Sequence, residues 1–265
     1  MKGKMSAAQR ARKILLLLLM VALVAIEISF NLSDDDSWTV QMLYMCSTRL
    51  IGGAVCAIFM IEFSFDKIMN PLGNKSCIAL LAVIPAFVVA VNNFPFVSFF
   101  AGDCGLDASI EQIFLYALFC LSVGIFEEMA FRGCVLMYLL KSRKDSRKGI
   151  FMAIFWSSVV FGLIHLINLF TSSPLAVLLQ IGYSALIGAL CSLVLLATKN
   201  IWLCVLLHAT YNFVGNVVSE LGNGEMWTLP QMIFTAAVAV AVTAYCVWLF
   251  FKLPVSRAKE LYGNN

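Results

Sequence analysis

Eight apolar stretches, joined by short polar loops, decide what this chain can fold into. They run approximately over 13–30, 38–63, 77–101, 112–140, 149–170, 174–197, 200–219 and 230–252. At a helical rise of about 1.5 Å per residue, each is long enough to cross a hydrocarbon core of about 30 Å. Composition agrees, with 62% of residues hydrophobic and 12% charged. Soluble domains run at roughly 45–50% apolar and about 25% charged, so a water-soluble globule is excluded. Disorder is excluded as well, since it needs low hydrophobicity and high charge. The expected fold is all-α, a polytopic membrane helix bundle of about eight transmembrane helices, with residues 1–265 forming a single integral membrane domain.

The basic residues set the sidedness of these spans. The first 13 residues carry Lys2, Lys4, Arg10, Arg12 and Lys13, and the next loop carries Asp34, Asp35 and Asp36 without a base. Lys67 and Lys75 follow, then Asp103, Asp107 and Glu111, then the basic stretch 141–148. A neutral TSSP turn, Lys199, Glu220 with Glu225, and finally Lys252, Arg257 and Lys259 complete the alternation. Sixteen of the 18 bases fall in segments assigned to the cytoplasm, and the other two, Arg49 and Arg132, lie inside spans. Both termini are therefore expected to be cytoplasmic. The first stretch begins basic and leucine-rich like a signal peptide, but it is long and lacks a small-x-small cleavage site, so it reads as a retained anchor. The basic stretches read as topology determinants beside anionic headgroups, not as nucleic-acid patches. No internal repeat and no linker divides the chain.

Nine cysteines are present, yet no two stand as C-x-x-C and nearly all fall within apolar runs. They read as small buried hydrophobes with free thiols.

Charges at bilayer depth are costly and mark function. Glu27 and Glu62 lie near span ends, within reach of headgroups and water. Glu127, Glu128 and Arg132 lie deep in the fourth stretch, and Arg49 is midway along the second. Glu128 and Arg132 are i and i+4 with the acid first, the favourable order for an ion pair on one helix face. Glu127 is rotated by about 100° and cannot share that pairing equally. Two adjacent acids in different surroundings are how acid and base roles are divided, although such a cluster could also serve helix packing alone. Both histidines of the chain accompany them: His165 in FGLIHLIN, and His208 in HATYNF with Asn212 on the same helix face at i+4. An acid, two imidazoles and an amide from three spans can meet only at a wet cavity inside the bundle. Counted from their cytoplasmic ends, the two histidines differ in depth by about 10 Å.

These motifs resemble those of the CPBP family of intramembrane endopeptidases, which groups CAAX-processing proteases with bacteriocin-processing and immunity proteins. The family pattern is E-E-x-x-x-R, then F-x-x-x-H, then H-x-x-x-N, each on its own helix. This chain has Glu127, Glu128 and Arg132, then Phe161 and His165, then His208 and Asn212, in order and without substitution. Residues 115–220 would form the catalytic core. The resemblance implies hydrolysis of a peptide bond in a membrane-associated protein or peptide. Glu127 and His165 would activate a water, and His208 and Asn212 would hydrogen-bond the tetrahedral oxyanion. Glu128 and Arg132 would support Glu127, and Phe161 would pack on His165.

No cofactor is expected, because oxyanion donors account for Asn212 and zinc does not. The alternative is a zinc ion on Glu127, His165 and His208, as family members have also been described as metalloproteases. Two other readings stay open: a non-catalytic membrane scaffold or immunity protein, and an ion-coupled transporter, which would be expected to show repeats. The expected partners are membrane lipid and the substrate, with no nucleic acid. Compactness and the absence of sorting signals point to a bacterial cell membrane.

Overall fold

The computed structural model describes residues 11, 14, 37–73, 76–143, 146–170 and 172–262. The first apolar stretch, 13–30, with Glu27, lies almost wholly outside them. Helices begin where a polar side chain can satisfy the free backbone amides of a first turn. α1 (Trp38–Glu62) is capped by Ser37. α2 (Cys77–Val91) and the short α3 (Phe96–Ala101) follow. After strand β1 (Cys104–Leu106), Ser109 and Gln112 form a reciprocal capping box at the start of α4 (Ile110–Glu128). α4 runs without a break into a π-helical segment (Met129–Leu136) and α5 (Met137–Ser142). α6 (Arg147–Leu163) tightens into 3-10 turns (Ile164–Phe170). α7 (Pro174–Thr198) has Ser173 as its cap and Pro174 in its first turn, and Asn200 caps α8 (Ile201–Leu221). Strand β2 (Gly222–Gly224), α9 (Leu229–Lys252) and α10 (Ser256–Tyr262) complete the chain.

The all-α membrane bundle is thus the observed fold. Six helical segments among the described residues are long and apolar enough to cross a membrane: 38–62, 110–142, 147–170, 174–198, 201–221 and 229–252. They match six of the eight expected spans closely. The third expected span, 77–101, is corrected. Asn92, Asn93 and Phe94 interrupt it ahead of Pro95, which has no N–H and disfavours helix in the residue before it. The remaining helix has 15 residues, about 22 Å at the helical rise and short of a full crossing.

α4 occupies the middle, packed against α1 on one side and α8 on the other, while α6 packs on α7. The carboxy-terminal half of α7, Leu190 to Thr198, is buried throughout and forms the centre of the core. α9 turns Ile233, Val240, Val247 and Phe251 outward, an apolar face suited to acyl chains.

The charges divide between the two ends of the bundle. At one end Lys141 Nζ donates to Phe63 O at 3.2 Å, Arg147 Nη1 donates to Leu253 O at 2.7 Å, and Lys199 pairs with Glu260. At the other end β1 and β2 pair antiparallel, Cys104 opposite Gly224, and Ser98 Oγ donates to Met226 O at 2.8 Å. Asp103, Asp107, Glu220 and Glu225 lie beside these contacts.

Candidate active site

The site begins with a glycine. A Cβ at Gly124 of α4 would stand 2.8 Å from Val205 O and 3.3 Å from Ala209 N of α8. The two backbones therefore nearly touch one turn before the glutamates, which brings both carboxylates against His208. Glu128 ends the α-helical part of the rod, and the π-helical turns start at the next residue. Such segments are rare and often fall at functional sites.

Arg132 Nη1 donates to Glu128 Oε1 at 2.8 Å, with relative exposures of 1% and 0% for the two side chains. The same Oε1 lies 2.7 Å from His208 Nδ1. Glu127 takes the other side of the ring, its Oε2 3.5 Å from His208 Nε2, and it is 23% exposed. Rotation about α4 thus separates the two acids as their spacing requires. Glu128 faces the closed interior, and Glu127 faces a cavity. The contact between Glu128 and His208 could not be read from the sequence, because i,i+4 spacing reports only partners on the same helix.

Phe161 joins the pieces. The Arg132 guanidinium sits 4.4 Å over its ring centroid. The His165 and His208 rings meet it edge-on at 5.5 and 5.7 Å. Both imidazoles thus reach the one Phe161 ring and line the same cavity, although α6 and α8 carry them at different points along their lengths. His165, expected on a regular transmembrane helix, lies instead on the 3-10 turns that follow α6. Its Nδ1 lies 3.0 Å from Phe161 O. A carbonyl only accepts, so Nδ1 carries the hydrogen and Nε2 of the neutral ring is an acceptor. Gly188 of α7 makes room here, since a Cβ would come within 2.9 Å of Arg132 Nη2.

Glu127, His165, His208 and Asn212 all line one cavity of about 1890 Å³. Its wall also carries Arg49, whose Nη1 donates to Met45 O at 3.3 Å and whose guanidinium lies 5.0 Å from the Phe119 centroid. Near His165 the wall is amidic, with Asn168 Nδ2 donating to Gln180 Oε1 at 2.8 Å. Gln180 drew no notice in the sequence, because one amide in an apolar run has no spacing signature. Tyr183 joins this wall from α7. None of the nine cysteines is in a disulfide; seven are buried, Cys77 is exposed and Cys134 is half-buried. Among the described residues no three His, Cys, Asp or Glu side chains form a group that could hold a metal ion.

Fold and site together define a multi-pass helical membrane protein with a buried acid–imidazole cluster opening on an internal cavity. Residues 109–214 match the family model described as Rce1-like, type II CAAX prenyl endopeptidase, in agreement with the CPBP resemblance. That segment contains all three motifs, and the family is one of proteases. No curated protein and no solved structure matches the chain.

Proposed function

We propose that this protein is an intramembrane endopeptidase that cleaves a membrane-associated protein or peptide with a glutamate-activated water. The main support is the 3.5 Å approach of Glu127 to His208 on the wall of a cavity that His165 and Asn212 also line. The Glu127 side chain is 23% exposed and lines the cavity, so its carboxylate can receive a hydrogen bond from a water. His165 Nε2 is a second acceptor for the same water. Glu127 takes one proton as the water oxygen bonds to the scissile carbonyl carbon. The carbonyl electrons move to its oxygen, where Nε2–H of His208 and the amide N–H of Asn212 donate to the oxyanion. When the carbonyl re-forms, the C–N bond breaks, and the proton on Glu127 passes to the leaving nitrogen. No metal takes part in this sequence. The core helices, 115–220, supply every reacting group, and the basic end of the bundle faces the cytoplasm of a bacterial cell.

The test reconstitutes purified protein in lipid vesicles with a library of membrane peptides and identifies products by mass spectrometry. Glu127→Gln keeps the shape of the side chain and removes the base. Its rate should fall by about 10²–10⁴-fold, the usual contribution of a general base. Equal cleavage by the variant and the parent would overturn the reading.

A further inference from the structure

One oxygen of Glu128 serves two partners. Oε1 accepts from Arg132 Nη1 at 2.8 Å and meets His208 Nδ1 at 2.7 Å, with all three side chains buried. Guanidinium nitrogens only donate, and an oxygen receiving such a charge-assisted bond is an acceptor. The hydrogen on the 2.7 Å contact therefore belongs to the imidazole. A neutral ring with hydrogen on Nδ1 has a bare Nε2. That nitrogen would face Glu127 Oε2 at 3.5 Å, acceptor against acceptor. One shared proton on that axis relieves the conflict. It also balances the cluster, since two carboxylates then stand against one guanidinium and one imidazolium where net charge is costly.

We infer that Glu128 is a positioning residue for His208, beyond its ion pair with Arg132. It holds Nδ1–H on its own carboxylate and presents Nε2, with the shared proton, to Glu127 and the cavity. Other titratable groups surround the ring. Cys191 of α7 and Cys204 of α8 are buried thiols within electrostatic reach of Glu128. Tyr211 stands on α8 itself, and His165 lies beyond Phe161. None of these is hydrogen-bonded to His208 among the described residues, so the carboxylates set the ring's orientation. The catalytic consequence rests on the proposed protease reading, in which Nε2–H is the oxyanion donor. The orientation of the ring does not.

The chain has two histidines, so labelling with ¹⁵N-histidine yields spectra of these two rings alone, and His165→Gln assigns them. In the parent protein in lipid, His208 Nδ1 should give a proton-bearing, pyrrole-type resonance. In the double variant E128L/R132M, which removes both buried charges together, Nδ1 should lose its hydrogen while Nε2, facing Glu127, keeps one. A bare Nδ1 in the parent, or an unmoved Nδ1–H in the double variant, would overturn the inference. On a cleaved peptide, Glu128→Gln should lower kcat about 100-fold, the loss typical of one oxyanion donor, with KM within a factor of about two. A change in KM alone would also overturn it. The spectra need no substrate, so an inactive protein with the expected tautomer would sink only the protease reading. An active protein with a bare Nδ1 would sink only this one.

Discussion

Replacing Arg132 by Met removes the cation from a carboxylate with no access to solvent. Glu128 is 0% exposed and keeps only His208 as a partner, while Arg132 is itself 1% exposed. Breaking a buried pair from one side typically costs about 3–5 kcal/mol, because the surviving charge is left uncompensated. The cation–π contact with Phe161 is lost as well, and such contacts contribute about 0.5–2 kcal/mol. His208 still donates to Glu128, which places the expected loss at the lower end, about 3 kcal/mol, or roughly a hundredfold in the unfolding constant. Glu128→Leu should cost a similar amount by stranding Arg132, whose Nε and Nη2 already lack hydrogen-bond partners among the described residues. The double variant removes both charges and should lie within about 1 kcal/mol of the parent, since apolar replacement of a whole buried pair is often neutral. The cycle can be read from equilibrium unfolding in mixed micelles, followed by the fluorescence of the five tryptophans. A coupling above about 3 kcal/mol is expected. Single losses below about 1 kcal/mol, or simple additivity, would refute the claim that the pair is desolvated and mutually dependent.

Two further outcomes follow from the same geometry. Gly124→Ala places a Cβ 2.8 Å from Val205 O, so α4 and α8 must separate at a cost of about 1–3 kcal/mol. Cleavage should fall with it, whereas Gly182→Ala, which meets nothing within 4 Å, should leave stability and cleavage unchanged in the same assays. At the basic end, a hydrogen bond from Lys199 holds the Glu260 carboxyl below its usual range. A lowered native value means that this stabilisation is present above the ordinary carboxylate range and fades as pH falls through the native value. Both groups are partly exposed, so the effect is small. Lys199→Gln should flatten the acid limb of stability against pH, and an unchanged limb would show that the pair contributes nothing.

Much of the architecture was legible in the sequence because lipid permits few solutions. A long apolar run must satisfy its own backbone, so length and hydropathy alone placed six of the spans to within a few residues. The missed break at Asn92–Pro95 has a local cause: two asparagines and a proline end a helix without interrupting the apolar character that the span reading follows. Spacing along one rod likewise revealed the Glu128–Arg132 pair and the divergence of Glu127 from it.

Sequence order determined which polar groups lie within the bundle, since a charge or an imidazole among apolar neighbours needs a polar destination. It could not determine how those groups meet. Glu128 reaches His208 across 80 residues of chain because Gly124 lets two backbones close, and Phe161 links both imidazoles to Arg132 because Gly188 leaves space for them. Local periodicity is set by bonds along one helix. The facing of one helix toward another is set by small side chains whose role appears only once the helices are packed.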